Sequence, residues 1–199
     1  MIPASIDLLE NILQSLNGIL PGDTQPLFAL TRRLSLEEGE VYIREGDTSR
    51  KLAFIEQGIM RAYAVKENGD DATLFLRWEG QFIASHDTIV HQQPARFIYR
   101  ALEPVTLLEV DYDKLDNILR EHPQFEPLRV QVLQRMIGEA LKVVEDFVLL
   151  SPEERYLQLV EKRQDIVNRV SDKYIASMLG VTPVSLSRIR KRIHSKGRK

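Results

Sequence analysis

Between Thr182 and Ile193 the chain gathers side chains suited to gripping a polyanion. Thr182 and Pro183 open a helix, the threonine as N-cap and the proline in the first turn, where its missing N–H is no loss. Val184, Leu186, Ile189 and Ile193 recur at helical spacing and are expected to hold that helix to a neighbour. Ser185, Ser187, Arg188, Lys191 and Arg192 are then left facing outward. Arg188 carries a planar fork that matches guanine O6 and N7. The serines can give or accept hydrogen bonds to bases or phosphates. Arg190, Lys191, Arg192 and the Lys196–Lys199 tail neutralise phosphate without reading sequence. The bland alternative is a helical hairpin with a merely solvated face. Charge favours the first reading. From Ser171 to Lys199 there are eight basic residues against Asp172 alone, or +7. The whole chain carries −2, so the remainder carries −9. A basic end on an acidic body suits a polyanion bound at that end only.

Two other clusters invite chemistry. Ser85-His86-Asp87 has the residue types of a nucleophile relay, but on a strand adjacent side chains point to opposite faces and cannot converge. No catalytic residue is assigned, and the chain is not expected to be an enzyme. His86 and His91 suit a metal in a cupin-like jelly roll, which usually takes three histidines and a carboxylate. The other two histidines, His122 and His194, fall outside the β-rich region, so no metal is expected. No glycine-rich phosphate cradle occurs. The absence of cysteine excludes disulfides, thiolate zinc and cysteine-ligated iron–sulfur clusters, and fits a reducing cytoplasm. Met1 to Leu20 carries Asp7 and Glu10 and no basic residue, unlike a signal peptide. No apolar run approaches the ~18 residues of a membrane span.

These side chains need a scaffold. Asp172 to Leu179 reads as a short helix and Gly180-Val181 as a tight corner before Thr182. Two short helices about a glycine turn, the second basic outside, form a helix-turn-helix. Upstream, Ser151-Pro152-Glu153-Glu154 is a capping box, which makes Leu150/Ser151 a hinge between helices. Before it, Gln124 to Leu150 is a rod of roughly 40 Å at ~1.5 Å per residue. Its Val130, Leu133, Ile137, Ala140, Val144 and Phe147 follow at spacings of three, four, three, four and three. That is a heptad seam suited to a second copy of the helix. Met136, Leu141, Val143 and Val148 make a second stripe, expected to dock on the chain's own body. The alternative is a helix buried within one domain.

From Thr31 to Asp111 the period changes to two. β-prone runs fall at Val41–Ile43, Leu52–Ile55, Ile59–Val65, Thr73–Trp78, Phe97–Ala101 and Val105–Val110. Turn signals separate them, Asn68-Gly69 the strongest because a tight hairpin wants positive φ at both central residues. Many short strands argue for a sandwich or jelly roll. Ile6 to Leu20 and Asp23/Thr24 to Leu30 read as helices ahead of it, and Asp111 to Arg120 as one behind it. With 199 residues, 43% hydrophobic and 28% charged, the composition is that of a globular protein with room for a core-bearing domain and a smaller second one.

Gly39-Glu40-Val41-Tyr42-Ile43-Arg44-Glu45-Gly46-Asp47, then Leu52 to Ile55, Gln57-Gly58 and Gly80-Gln81-Phe82-Ile83 resemble the cyclic-nucleotide-binding β-roll. With the rod and the helix-turn-helix, nearly the whole chain resembles a regulator of the Crp/Fnr family. The resemblance implies a homodimer joined along the rod, with two readers about one DNA turn (~34 Å) apart on a near-palindrome. Double-stranded DNA and RNA polymerase are the expected partners, and neither a membrane nor a resident cofactor is expected. Cyclic-AMP-binding members hold ribose with a Glu and phosphate with an Arg and a Ser. Here Arg96 stands at the phosphate position, Ser85 replaces the Glu and Phe97 the Ser. A different small effector, or none, is therefore expected in a pocket of Phe75, Gly80, Phe82, Ser85, Arg96 and Phe97; Arg96 alternatively pairs with Asp87. Pro183 and Val184 replace the family's Arg and Glu in the reader, so the DNA sequence preferred should differ.

The expected fold is therefore α+β. Residues 1–123 form N-terminal helices and a jelly-roll (double-stranded β-helix) sensor, 124–150 the dimerisation helix and 151–199 the helix-turn-helix domain. The expected function is sequence-specific transcription regulation that does not respond to cyclic AMP. The rival is a cupin-like metal-binding or small-ligand-binding roll whose basic C-terminus takes a partner rather than specific DNA.

Overall fold

The computed structural model describes residues 25–196; the helix expected over Ile6–Leu20 and the caps Asp23 and Thr24 lie outside them. A short helix α1 (Gln25–Phe28) leads into eight strands: β1 Arg32–Leu36, β2 Val41–Ile43, β3 Lys51–Gln57, β4 Met60–Val65, β5 Asp71–Arg77, β6 Phe82–Ala84, β7 Ile98–Ala101 and β8 Val105–Asp111. They form two four-stranded sheets, ordered β1-β8-β3-β6 and β2-β7-β4-β5. This is the expected jelly roll. Central β8 buries Val105, Leu107, Leu108 and Val110, and its neighbour β3 buries Ala53, Phe54 and Ile55. Continuous burial replaces simple alternation because these strands have neighbours on both edges and apolar side chains on both faces. Phe54 pairs with Phe82 across β3 and β6, their rings 5.4 Å apart edge to face.

Strands β1 and β6 were not among the expected runs. β1 reads Arg-Arg-Leu-Ser-Leu, too polar for a propensity argument. It is fixed by pairing with β8, where Arg32 lies opposite Glu109 and donates to it at 2.7 Å. The Asn68-Gly69 hairpin is real but wider than a two-residue turn. Lys66 N–H donates to Asp70 O at 2.9 Å and Gly69 N–H to Lys66 O at 2.9 Å. Only Gly69 has positive φ, at 82°. That is a type I turn closed by a left-handed glycine, the usual three-residue hairpin loop. Gly58 is required by contact, because a Cβ there would stand 2.6 Å from Pro104 O.

Beyond the roll come α3 (Tyr112–Glu121), a 3₁₀ turn (Pro123–Phe125), α4 (Glu126–Leu149), α5 (Pro152–Arg169), α6 (Asp172–Met178) and α7 (Pro183–Lys196). Asp111 caps α3 by accepting from Asp113 and Lys114 N–H. The capping box is complete: Glu154 N–H donates to Ser151 Oγ, and Ser151 N–H donates back to Glu154 at 2.8 Å. The chain's contacts fall into two compact units. One ends at Tyr63 and resumes over Leu76–Met136; the other joins Ala64–Phe75 to the chain from Ile137 onward. Within the second, Ser177 Oγ accepts Thr73 N–H at 2.9 Å and donates to Asp71 O, so the edge of β5 is satisfied by a hydroxyl of α6.

Candidate nucleic-acid interface

The corner between α6 and α7 is built by backbone geometry. Gly180 sits at φ 72°, Gly180 N–H reaches Ser177 O at 3.1 Å and Val181 N–H reaches Ala176 O at 2.9 Å. Those two bonds with a left-handed glycine are a Schellman stop. Thr182 then restarts the chain as a helix, its Oγ1 accepting Ser185 N–H at 3.2 Å and donating to Ser185 Oγ at 3.0 Å. Leu186 and Ile189 of α7 are buried with Ile175, Ala176 and Leu179. A fully buried side chain of this kind contributes about 1.5–3 kcal/mol. Val184 does not join them: it is 62% exposed, because the first turn of α7 clears its neighbour. Ile193 is half-buried.

Thr182, Pro183, Ser187, Arg188, Lys191 and Arg192 are exposed on α7, and Ser185 is half-buried, its hydroxyl engaged by Thr182. The cations of α7 divide into two sets. Arg190 turns inward, pairs with Asp172 at 2.7 Å and lies over Tyr156, so it fastens α7 rather than facing a ligand. Arg192 pairs with Glu153 at 3.3 Å. Arg188 and Lys191 make no ion pair with any described residue. Arg188 lines a groove between the start of α5 and α7 together with Ser151, Glu153 and Ser185. An exposed guanidinium and ammonium beside a helix N-terminus present donors to an anion.

Sequence reasoning missed Arg155. Its Nη1 donates to Leu150 O at 2.7 Å and Nη2 to Leu179 O at 2.9 Å. Its guanidinium lies 4.3 Å from the centre of the Phe147 ring. Phe147 in turn would meet a Cβ on Gly180 at 3.2 Å. One side chain thus ties the end of α4, the hinge and the helix-turn-helix corner. Its partners are backbone carbonyls brought near by folding, so no local pattern announces it.

The seam residues Val130, Leu133, Ile137, Ala140, Val144 and Phe147 are all exposed, Ile137 and Val144 at 59% each. The second stripe corrects an expectation. Met136, Leu141, Val143 and Val148 are also exposed, the last at 76%, and do not dock on the chain's own body.

In the roll, Ser85, Arg96 and Phe97 come together around Asp87. Arg96 Nε and Nη2 donate to Asp87 Oδ1 at 3.0 and 2.8 Å, and Arg96 N–H donates to Oδ2 at 3.1 Å. Arg96 also lies over the Phe97 ring at 5.4 Å. These hydrogen bonds hold the Asp87 carboxyl below its ordinary 3.8, against the opposing cost of burial. Gly80 turns the chain between β5 and β6, and Phe82 packs on Phe54. Phe75 belongs to the other unit. Ser85 to Asp87 is not strand: Ser85 precedes a short helix α2 (His86–Ile89). The relay is excluded instead because Ser85 is buried while His86 is exposed. Arg61 was also unforeseen; fully buried in β4, it stacks 4.2 Å from the Tyr63 ring centre.

A jelly roll followed by a long open-seamed helix and a helix-turn-helix with exposed cations is the architecture of a transcription regulator. The cyclic nucleotide-binding domain family matches residues 33–122. The electron transport regulator A of Shewanella oneidensis is 24% identical over 182 residues, covering 84% of this chain and 71% of that protein. The fumarate and nitrate reduction regulatory protein of Yersinia pestis is 28% identical over 121 residues, covering 61% of this chain but only 46% of that protein. FixK2 from Bradyrhizobium japonicum shares the fold at a TM-score of 0.70 and 15% identity, over 84% of this chain and 86% of that one. The chain is thus similar, over most of its length, to transcription regulators of Crp/Fnr type.

Proposed function

We propose that the protein works as a homodimer that reads double-stranded DNA with α7 and does not respond to cyclic AMP. The open cations Arg188 and Lys191, on a helix whose other face is buried, carry this reading. Arg188 reads a base edge and Lys191 neutralises phosphate. The apolar seam of α4 supports pairing, since ten large apolar side chains along one rod are costly to leave in water. Arg96, whose Nε and Nη2 are held by Asp87, and Ser85 in place of a ribose-binding carboxylate argue against cyclic AMP. The protein is read as a non-enzymatic regulator of the cytoplasm that meets RNA polymerase on DNA. Among the described residues no helix is long and apolar enough to cross a membrane.

The test is selection of binding sites from random duplex DNA. Near-palindromes with half-sites about one helical turn apart are expected. Recovery of unrelated sequences would remove the reader assignment.

A further inference from the structure

His86 and His91 bring their Nε2 atoms within 3.1 Å of each other, and both side chains are exposed. Their ring centres are 4.8 Å apart and their planes cross at 75°. Because an imidazole nitrogen lies about 1.2 Å from its ring centre, a collinear N–H···N bond of this length would separate the centres by about 5.5 Å. The rings are therefore bent well off that line, which weakens a hydrogen bond between them. Two nitrogens 3.1 Å apart can share one cation, since two imidazole–zinc bonds of ~2.0–2.1 Å span that separation at a coordination angle of roughly 100°.

The backbone holds the pair in place. Val90 N–H donates to His86 O at 2.9 Å and Gln93 N–H to Asp87 O at 3.0 Å. Gln92, at φ 53°, turns the chain directly after His91. Behind His86, Nδ1 faces Asp87 Oδ1 at 3.7 Å, and that buried carboxylate is fixed by Arg96. At 3.7 Å the carboxylate acts through its charge rather than a hydrogen bond, favouring the proton on Nδ1 and leaving the Nε2 lone pair for a cation.

We propose that His86 and His91 form a two-imidazole site for a divalent transition cation of zinc, nickel or copper type, with Asp87 as the positioning residue. Imidazole nitrogen suits these ions and disfavours magnesium and calcium, which want oxygen ligands. Among the described residues no third histidine, cysteine or carboxylate completes a cluster, so the remaining positions take water. This is an open, exchangeable site, unlike the closed cupin arrangement. A bound ion would staple α2 to the loop after it, on the stretch that carries the Asp87–Arg96 pair.

The test is calorimetric titration of chelator-stripped full-length protein with zinc chloride and nickel chloride, with magnesium chloride as the control. One ion per chain is expected, with affinity at least ~10-fold weaker in His86→Gln and His91→Gln and unchanged in His122→Gln. Both substituted histidines are exposed, so the metal-free melting temperature should not move. Equal affinity and stoichiometry in wild type and both variants would overturn the site. Cobalt(II) absorption provides a second readout. Asp87→Asn should keep the cobalt spectrum while weakening affinity about 10–100-fold, with Asp87→Glu restoring part of it. An unchanged affinity in Asp87→Asn would remove Asp87 from the site.

Discussion

Arg96 in the roll and Arg188 in the reader are the same residue type in opposite situations. Arg96 donates three bonds to one buried carboxylate. Arg188 stands on α7 in ion pair with no described acid, while Arg190 two residues on is pinned by Asp172. What separates them is the company the fold provides. A guanidinium with a fixed carboxylate is part of the scaffold; one without is available to a ligand. The difference argues for recognition at the reader and against simple phosphate capture at Arg96.

The largest effect should come from separating the two readers. Ile137→Glu with Val144→Glu places charge on the open seam and should give monomers by light scattering. Loss of joint binding should then weaken affinity for a palindromic duplex roughly 100-fold or more. Dimers that persist would move the interface elsewhere. Next, Arg188→Ala should cost about 1–3 kcal/mol on the selected site and less on random DNA, as read by competition binding. Equal losses on both would reduce Arg188 to a phosphate contact and erase its contrast with Arg190. Arg155→Ala should lower unfolding stability by about 1.5–3 kcal/mol, because two carbonyls lose a charged donor; denaturant melts measure it. An unchanged midpoint would mean the hinge is held by its capping box alone.

The smallest effect concerns pH at the Asp87–Arg96 pair. The folded pKa of Asp87 lies below its ordinary 3.8, chiefly through the Arg96 hydrogen bonds. The pair therefore contributes its full stability above that ordinary value and loses it as pH falls through the lower folded one. Acid unfolding followed by circular dichroism should show a shallower dependence below about pH 4 in Asp87→Asn than in wild type. Parallel curves would mean that the pair is not coupled to folding.

Local rules made much of this legible. The Ser151 capping box, the Gly180 corner, the Thr182 cap and most strands follow from residues within a few positions of one another. The failures are contacts between distant segments. β1 exists because β8 pairs with it, and Arg155 matters because the distant Leu179 carbonyl reaches it beside the nearby Leu150 carbonyl. Arg190 counted as phosphate-facing until Asp172 was seen beside it. The second stripe of α4 looked like a docking face because apolar spacing gives a helix face and not its occupant. At the roll site, the Asp87 alternative for Arg96 was legible, whereas the approach of His86 to His91 depended on the α2 turn that propensity did not suggest.

The most direct test of DNA recognition is fluorescence anisotropy of the full-length protein on labelled duplex across a salt series. If α7 neutralises phosphate with its open cations, log affinity should fall linearly and steeply with log salt, with a slope near −0.9 for each phosphate contacted. Affinity indifferent to salt would contradict the account.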